Sequence, residues 1–147
     1  MKRRTVLYAG IGAGIAGVLT PLRALGAYPT KAFLAKEIPD ALREAFGTAD
    51  IGESDKIEID APHIATDANM VPVRVKSGFD NTESIAIVVS GNPSPFSAYF
   101  RLYEAQNFVT TRVRVADTSD LLVIVKADGG LHTRKRAVRV GRNECRA

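Results

Sequence analysis

Hydrophobic and polar positions fall into two regimes along this chain. In TKAFLAKEIPDALREAFG, residues 30–47, apolar side chains recur at Leu34, Ile38, Leu42 and Ala45/Phe46, the spacing of one helix face. Thr30 stands where an N-cap is expected and Gly47 where the helix would stop. Pro39 interrupts the run. An interior proline loses a hydrogen bond and clashes with the preceding turn, so it kinks the helix or opens a second one. Beyond Gly47 the period becomes that of strands. KIEID (56–60) alternates, and MVPVRVK (70–76) puts Val71, Val73 and Val75 on one face. Pro72 falls on the other face and predicts an edge strand or an irregular start. SIAIVVS, FSAYFRLY, FVTTRVRV, LLVIVKA and LHTRKRAVRV follow, all rich in apolar, β-branched or aromatic residues. Asp128-Gly129-Gly130 predicts a hairpin turn between the last two. Asn92-Pro93-Ser94-Pro95 cannot continue a ladder, since each proline lacks a donor, and predicts an exposed turn. A helical segment followed only by strands predicts a mainly β fold: an immunoglobulin-like β-sandwich of about seven strands with an N-terminal helical extension.

The first 27 residues do not belong to that pattern. Lys2, Arg3 and Arg4 precede an uncharged apolar stretch from Val6 to Leu19, and Ala24-Leu25-Gly26-Ala27 gives a small-residue cleavage context. This is the layout of an export signal. The stretch is short and glycine-rich, which disfavours a membrane anchor. Arg3-Arg4 followed by Thr5-Val6-Leu7 fits the twin-arginine route, which leads to the periplasm. The expected organisation is a leader over 1–27, a helical segment over 28–47, a sandwich over 48–140 and a loose tail over 141–147. Loss of the leader removes four of the 20 basic residues and leaves 16 facing 16 acidic ones. The whole-chain pI near 9.4 therefore overstates the basic character, and nucleic acid is not an expected partner. An asymmetry remains, with seven basic residues between Lys126 and Arg146 against Asp128 and Glu144. They form either an anion-attracting or acid-docking surface, or a strand edge protected by charge.

Candidate chemistry is sparse. His63 and His132 have no partners at metal-ligand spacing, and no cysteine pair exists, so neither a metal nor another cofactor is expected. His132 reads as a surface or cross-strand residue. Ser54-Asp55 and Ser94 have no neighbouring base, and no glycine-rich loop joins a strand to a helix. The single cysteine, Cys145, stands third from the end in GRNECRA. Arg142 and Arg146 favour its thiolate and attract anions, and Glu144 opposes them. The seven tail residues span about 23 Å when extended. A nucleophile on such an arm suits a carrier that offers cargo to several enzymes. A fixed active site would need supporting residues packed around it. An exposed lone thiol also suits an intermolecular disulfide.

Several stretches together resemble the Y subunit of the Sox sulfur-oxidation carrier, the SoxY family. Ser54-Asp55-Lys56-Ile57, Ala61-Pro62-His63-Ile64-Ala65 and Val71-Pro72-Val73 are similar to consecutive pieces of that family. GNPSPFSAYFRL resembles its Asn-Pro-x-Pro turn and following strand. VTTRVRVADTSDLLVIVKADGGLHT resembles its Ser/Thr-Arg-hydrophobic-Arg strand, the strand after it and its hairpin. The AFLAK and DALREAFG pieces resemble its N-terminal helix. The resemblance implies a carrier rather than an enzyme, holding sulfur intermediates on Cys145. It implies a heterodimer with a second sandwich subunit, SoxZ. It further implies a haem-containing enzyme that couples thiosulfate to the thiol, a hydrolase that releases sulfate, and a sulfane dehydrogenase. No nucleic acid is implied, and no membrane once the leader is cleaved. The tail departs from the family's usual Gly-Gly-Cys-Gly-Gly: Asn143 and Glu144 precede Cys145, and Arg146 and Ala147 follow it. That departure leaves a second reading open, a diverged interaction module in which Cys145 is dispensable or disulfide-linked.

Overall fold

The computed structural model describes residues 28–141. The leader expected over 1–27 and the tail residues Arg142, Cys145 and Arg146 lie outside the described residues. Two short helices, α1 (Thr30–Leu34) and α2 (Ile38–Phe46), precede nine strands. These are β1 (Gly52–Glu53), β2 (Ile57–Asp60), β3 (Ile64–Ala65), β4 (Val71–Ser77), β5 (Thr82–Val89), β6 (Phe96–Arg101), β7 (Phe108–Val113), β8 (Ser119–Ala127) and β9 (Gly130–Val140).

Pro39 opens a second helix. It occupies the first turn of α2, where a missing N–H costs nothing. Ala35 and Glu37 before it are extended. That break resets the helical phase, so Leu34 leaves the face that α2 buries and is 72% exposed, contrary to the single-face expectation. Thr30 does not cap α1: Pro29 holds the cap position, and the Thr30 hydroxyl donates to the Tyr28 carbonyl at 3.2 Å. Gly47 ends α2 as expected, in the left-handed conformation (φ 78°) that glycine adopts without strain, its N–H donating to the Arg43 carbonyl.

One sheet runs β1-β9-β8-β5-β6, with β3 also on β9; the other runs β2-β4-β7. Between them lies the larger core. It receives Ile85, Ile87 and Val89 from β5 and Leu121, Val123 and Val125 from β8, facing Ile57, Val71, Val73, Val75 and Val113. The intervening residues of the same strands, Ala86, Val88, Leu122 and Ile124, point the other way and meet Ala32, Ala41 and Leu42 of the helices. The protein is therefore a three-layer stack of helices, large sheet and small sheet. Strands buried on both faces explain the unbroken apolar runs of β5 and β8. The small sheet is wet on its outer face, where Glu58 lies opposite Lys76 and Asp60 opposite Arg74. This matches the clean alternation of β4, buried and exposed by turns.

The structure departs from sequence expectation in three further places. The strands number nine rather than about seven, because β1 and β3 have two residues each and carry no readable period. β4 is the central strand of its sheet, not an edge. The β2 ladder covers only Arg74–Ser77 of it, so Pro72 sits where one flank of the strand has no partner and an absent N–H is tolerated. The Asn92–Pro95 turn is not merely exposed. Pro95 is buried. Asn92 reaches across to the β7–β8 loop, donating to the Arg114 carbonyl (2.7 Å) and accepting from the Ala116 N–H (2.8 Å). The last hairpin is a two-residue loop: Asp128 and Gly129 both have positive φ, as the primed turn requires, while Gly130 already pairs with Ala127.

Substitutions at two positions test this architecture. Leu42→Ala should lower unfolding free energy by about 2–5 kcal/mol in urea melts, since it removes a buried side chain from the helix–sheet layer. A midpoint equal to wild type would mean that the helices contribute nothing to the cooperative fold. Asn92→Ala should cost about 1–3 kcal/mol by stranding a carbonyl and an amide together. Asn92→Asp, which keeps only the acceptor, should fall between the two.

Candidate functional site

The candidate thiol, Cys145, follows the last described residue, Gly141, by four positions. β9 is the longest strand and ends at the rim of the sandwich. Three hydrogen bonds hold its last residues. The Arg139 N–H donates to the His63 carbonyl at 2.8 Å, the Val140 N–H to the Thr118 hydroxyl at 3.0 Å and the Gly141 N–H to the Ala65 carbonyl at 3.2 Å. Two of these acceptors belong to the segment around β3, which pairs in parallel with β9 through Ile64–Arg139 and Ala65–Val140. The third comes from the β7–β8 loop on the opposite flank. The strand end at Val140 and Gly141 is thus gripped from both sides, and the chain beyond it starts from a fixed point.

The rim around that point is knitted together. The Asn92 clip joins the β5–β6 and β7–β8 loops. The Val115 N–H donates to the Ala68 carbonyl at 2.8 Å, joining the β3–β4 loop to the same ring. Ser90 and Asp120 exchange further bonds there: the Ser90 N–H donates to the Asp120 carbonyl and the Asp120 N–H to the Ser90 hydroxyl. Sequence reasoning missed Asn92, Thr118 and β3 as determinants of this end. Asn92 beside a proline marks a turn, but its partners lie 22 and 24 residues away and leave no local signal. Cys145, Arg142 and Arg146 lie outside the described residues.

The basic stretch divides by strand alternation. Arg134 and Arg136 project toward the small sheet and bridge the gap between β9 and the chain around β2. Arg134 Nη1 donates to the carbonyls of Asp55 (3.1 Å) and Ile57 (2.9 Å), and Arg136 Nε to that of Ala61 (2.9 Å). Charged donors at an open strand edge satisfy carbonyls that have no ladder partner and block foreign strands. Lys135 points the other way, 3.9 Å from Glu53. Such an exposed pair contributes little to stability. The expected charge-protected edge is therefore present, with two of its arginines acting as crossbeams.

His132 is half-buried and lies opposite Val125 on the neighbouring strand; its ring stacks on that of Phe79 at 4.3 Å between centroids, and Lys56 Nζ lies 5.1 Å from the Phe79 ring. His63 is exposed, and its carbonyl holds Arg139. Among the described residues no three His, Cys, Asp or Glu side chains come together as a metal site would require. Ser54 accepts from the Lys56 N–H in a local turn. Ser94 meets the Lys36 ammonium at 3.3 Å on the surface.

Comparison with known proteins sets this geometry in a family. Residues 42–145 match the family described as sulfur oxidation protein SoxY, a span that ends on Cys145. Among solved structures the chain is similar to the sulfur carrier protein SoxY from Chlorobium limicola f thiosulfatophilum. The two are 38% identical, with a TM-score of 0.65 over 75% of this chain and 96% of that one. It is also similar to a superoxide reductase (neelaredoxin) from Ignicoccus hospitalis, at 20% identity and a TM-score of 0.52 over 60% of this chain and 82% of that one. The second likeness concerns the sandwich alone. No curated protein matches the chain. The family match over most of the chain, together with the close SoxY structure, shows that this protein belongs to the SoxY family.

Proposed function

We propose that this protein carries sulfur intermediates of thiosulfate oxidation as covalent adducts on the Cys145 thiol. The observation that carries the reading is the family match, which runs to the chain's single cysteine, four residues beyond the pinned Gly141. In this reading the protein leaves the chemistry to partner enzymes. Its rigid rim offers them a defined root from which the thiol is presented.

The loading step is an oxidation. Cysteine thiolate and thiosulfate form a sulfur–sulfur bond, RS⁻ + S₂O₃²⁻ → RS–S–SO₃⁻ + 2e⁻, and both electrons pass to a haem-containing partner. A hydrolase then cleaves the terminal sulfur–sulfur bond, RS–S–SO₃⁻ + H₂O → RS–S⁻ + SO₄²⁻ + 2H⁺. A sulfane dehydrogenase oxidises the remaining sulfur. Arg142 and Arg146 favour the thiolate and draw the dianion toward it, and Glu144 works against both. A SoxZ-like sandwich subunit completes the heterodimer. The twin-arginine leader places the assembly in the periplasm, where a single cysteine can make no internal disulfide. The side chains of Glu144 and Arg146, where the family usually has glycine, make this arm thicker than the common one, so it fits partner channels wide enough for charged side chains.

Intact-mass analysis of the mature protein, purified with its partner from thiosulfate-oxidising cells, tests the reading. The expected result is a sulfur adduct removed by reductant, mapped to Cys145, and lost together with thiosulfate-dependent electron transfer in Cys145→Ser. Only free thiol or a plain homodimer disulfide in the loaded cells would overturn it.

A further inference from the structure

The edge of the large sheet carries a gap that neither the core nor the tail's root explains. β1 pairs with β9 only at His132 and Thr133, and β3 pairs with it only at Arg139 and Val140. Between these contacts the chain leaves β9, crosses to the small sheet as β2 and returns. Residues 134–138 of β9 therefore have a strand neighbour on the β8 side alone. On the open side the backbone bonds fall at alternate residues: Thr133 C=O accepts from Ser54 N–H, and Arg139 N–H donates to the His63 carbonyl. By that alternation Lys135 and Ala137 turn their N–H and C=O groups into the gap. Among the described residues nothing bonds to them there.

A groove of about 420 Å³ occupies this gap, lined by Glu58, Ile59, His63, Arg134, Lys135, Arg136 and Ala137. Arg134 and Arg136 are held beside one carboxylate, Glu58, and Lys135 adds its charge at the rim, so the local charge is positive. The crossbeam bonds use Nη1 of Arg134 and Nε of Arg136. They hold both guanidinium groups in place and leave further N–H donors on each. Ordered guanidinium donors beside free backbone N–H groups are the elements of an oxyanion site, because charge-assisted bonds to tetrahedral oxygens are strong and directional.

We propose that this groove binds a sulfonate-type oxyanion, the –SO₃⁻ end of thiosulfate or of a thiosulfonate. The second source rests on the carrier reading of Cys145. Contour length permits it: Cys145 lies four residues past Gly141, a reach of about 13 Å, and Ala137 lies four residues back, also about 13 Å. A –S–SO₃⁻ group on the cysteine extends the reach further. The same ligand chemistry can thus come from solution or from this chain's own loaded thiol.

Amide NMR on two samples tests the site and separates the sources. In Cys145→Ser, which cannot be loaded, titration with sodium thiosulfate into the millimolar range should shift the amides of Lys135, Arg136 and Ala137 saturably. Sodium chloride at matched ionic strength should not. Lys135→Ala and His63→Ala spare the crossbeam bonds and should weaken binding by up to about tenfold between them, with folding confirmed by thermal melts. In the wild type, tetrathionate converts the thiolate to a thiosulfonate (RS⁻ + S₄O₆²⁻ → RS–S₂O₃⁻ + S₂O₃²⁻), and excess anion is then dialysed away. The same amide shifts in that sample identify the tethered group as an occupant. Shifts with free thiosulfate alone identify the solution anion. Shifts in neither sample, or equal shifts with chloride, overturn the proposal. None of these outcomes bears on whether Cys145 is loaded in cells, which the intact mass reads separately.

Discussion

Burial of β5 and β8 on both faces is the constraint from which the rest of the molecule follows. Two strands whose middle residues, 85–89 and 121–125, are apolar at odd and even positions alike cannot sit in a two-layer sandwich without presenting one apolar face to water. The valines and isoleucines directed at the small sheet form one core. Ala86, Val88 and Ile124 on the reverse would lie open without a third layer, and α1 with α2 supply it. The helical segment is therefore part of the fold's hydrophobic closure. Phe33 against Phe96, edge to face at 4.8 Å, extends that closure onto β6.

With both faces of the large sheet occupied, functional geometry is left to its edges and ends. The end holds the root of the tail, gripped by β3 and Thr118. The edge holds arginines that span from one sheet to the other. β9 serves both places, which accounts for its length and for its mixed composition of core and charged residues. Its basic character is partly architectural: removing Arg134 would free two backbone carbonyls at an unpaired strand edge before it changed any interaction with a partner.

Much of this was legible in the amino-acid sequence, and the failures have physical causes. The seven longer strands, the two-part helical segment and the last hairpin each carry a local signal: a period, a proline, or two residues that tolerate positive φ. The positions that failed depend on distant chain. Leu34 has the spacing of a buried residue, but the break before Pro39 resets its phase. Pro72 looked like an edge because the sequence cannot show that β2 stops short of it. β1 and β3 are too short to have a period, and Asn92 acts on residues more than twenty positions away. The proposed site is legible differently. The single cysteine and its flanking arginines could be found by inspection, whereas the fixed root that makes the position of Cys145 meaningful is a property of tertiary contacts.

The grip on Gly141 has a kinetic consequence. A group attached four residues beyond an immobile point stays within about 13 Å of it, whatever path those residues take. A surface inside that radius encounters the group at an effective concentration on the order of millimolar or higher, set by tether length and independent of protein abundance. A docked partner would therefore meet the thiol in an intramolecular step, and the rate of transfer would respond to lengthening or shortening the segment after Gly141 more than to dilution of the protein.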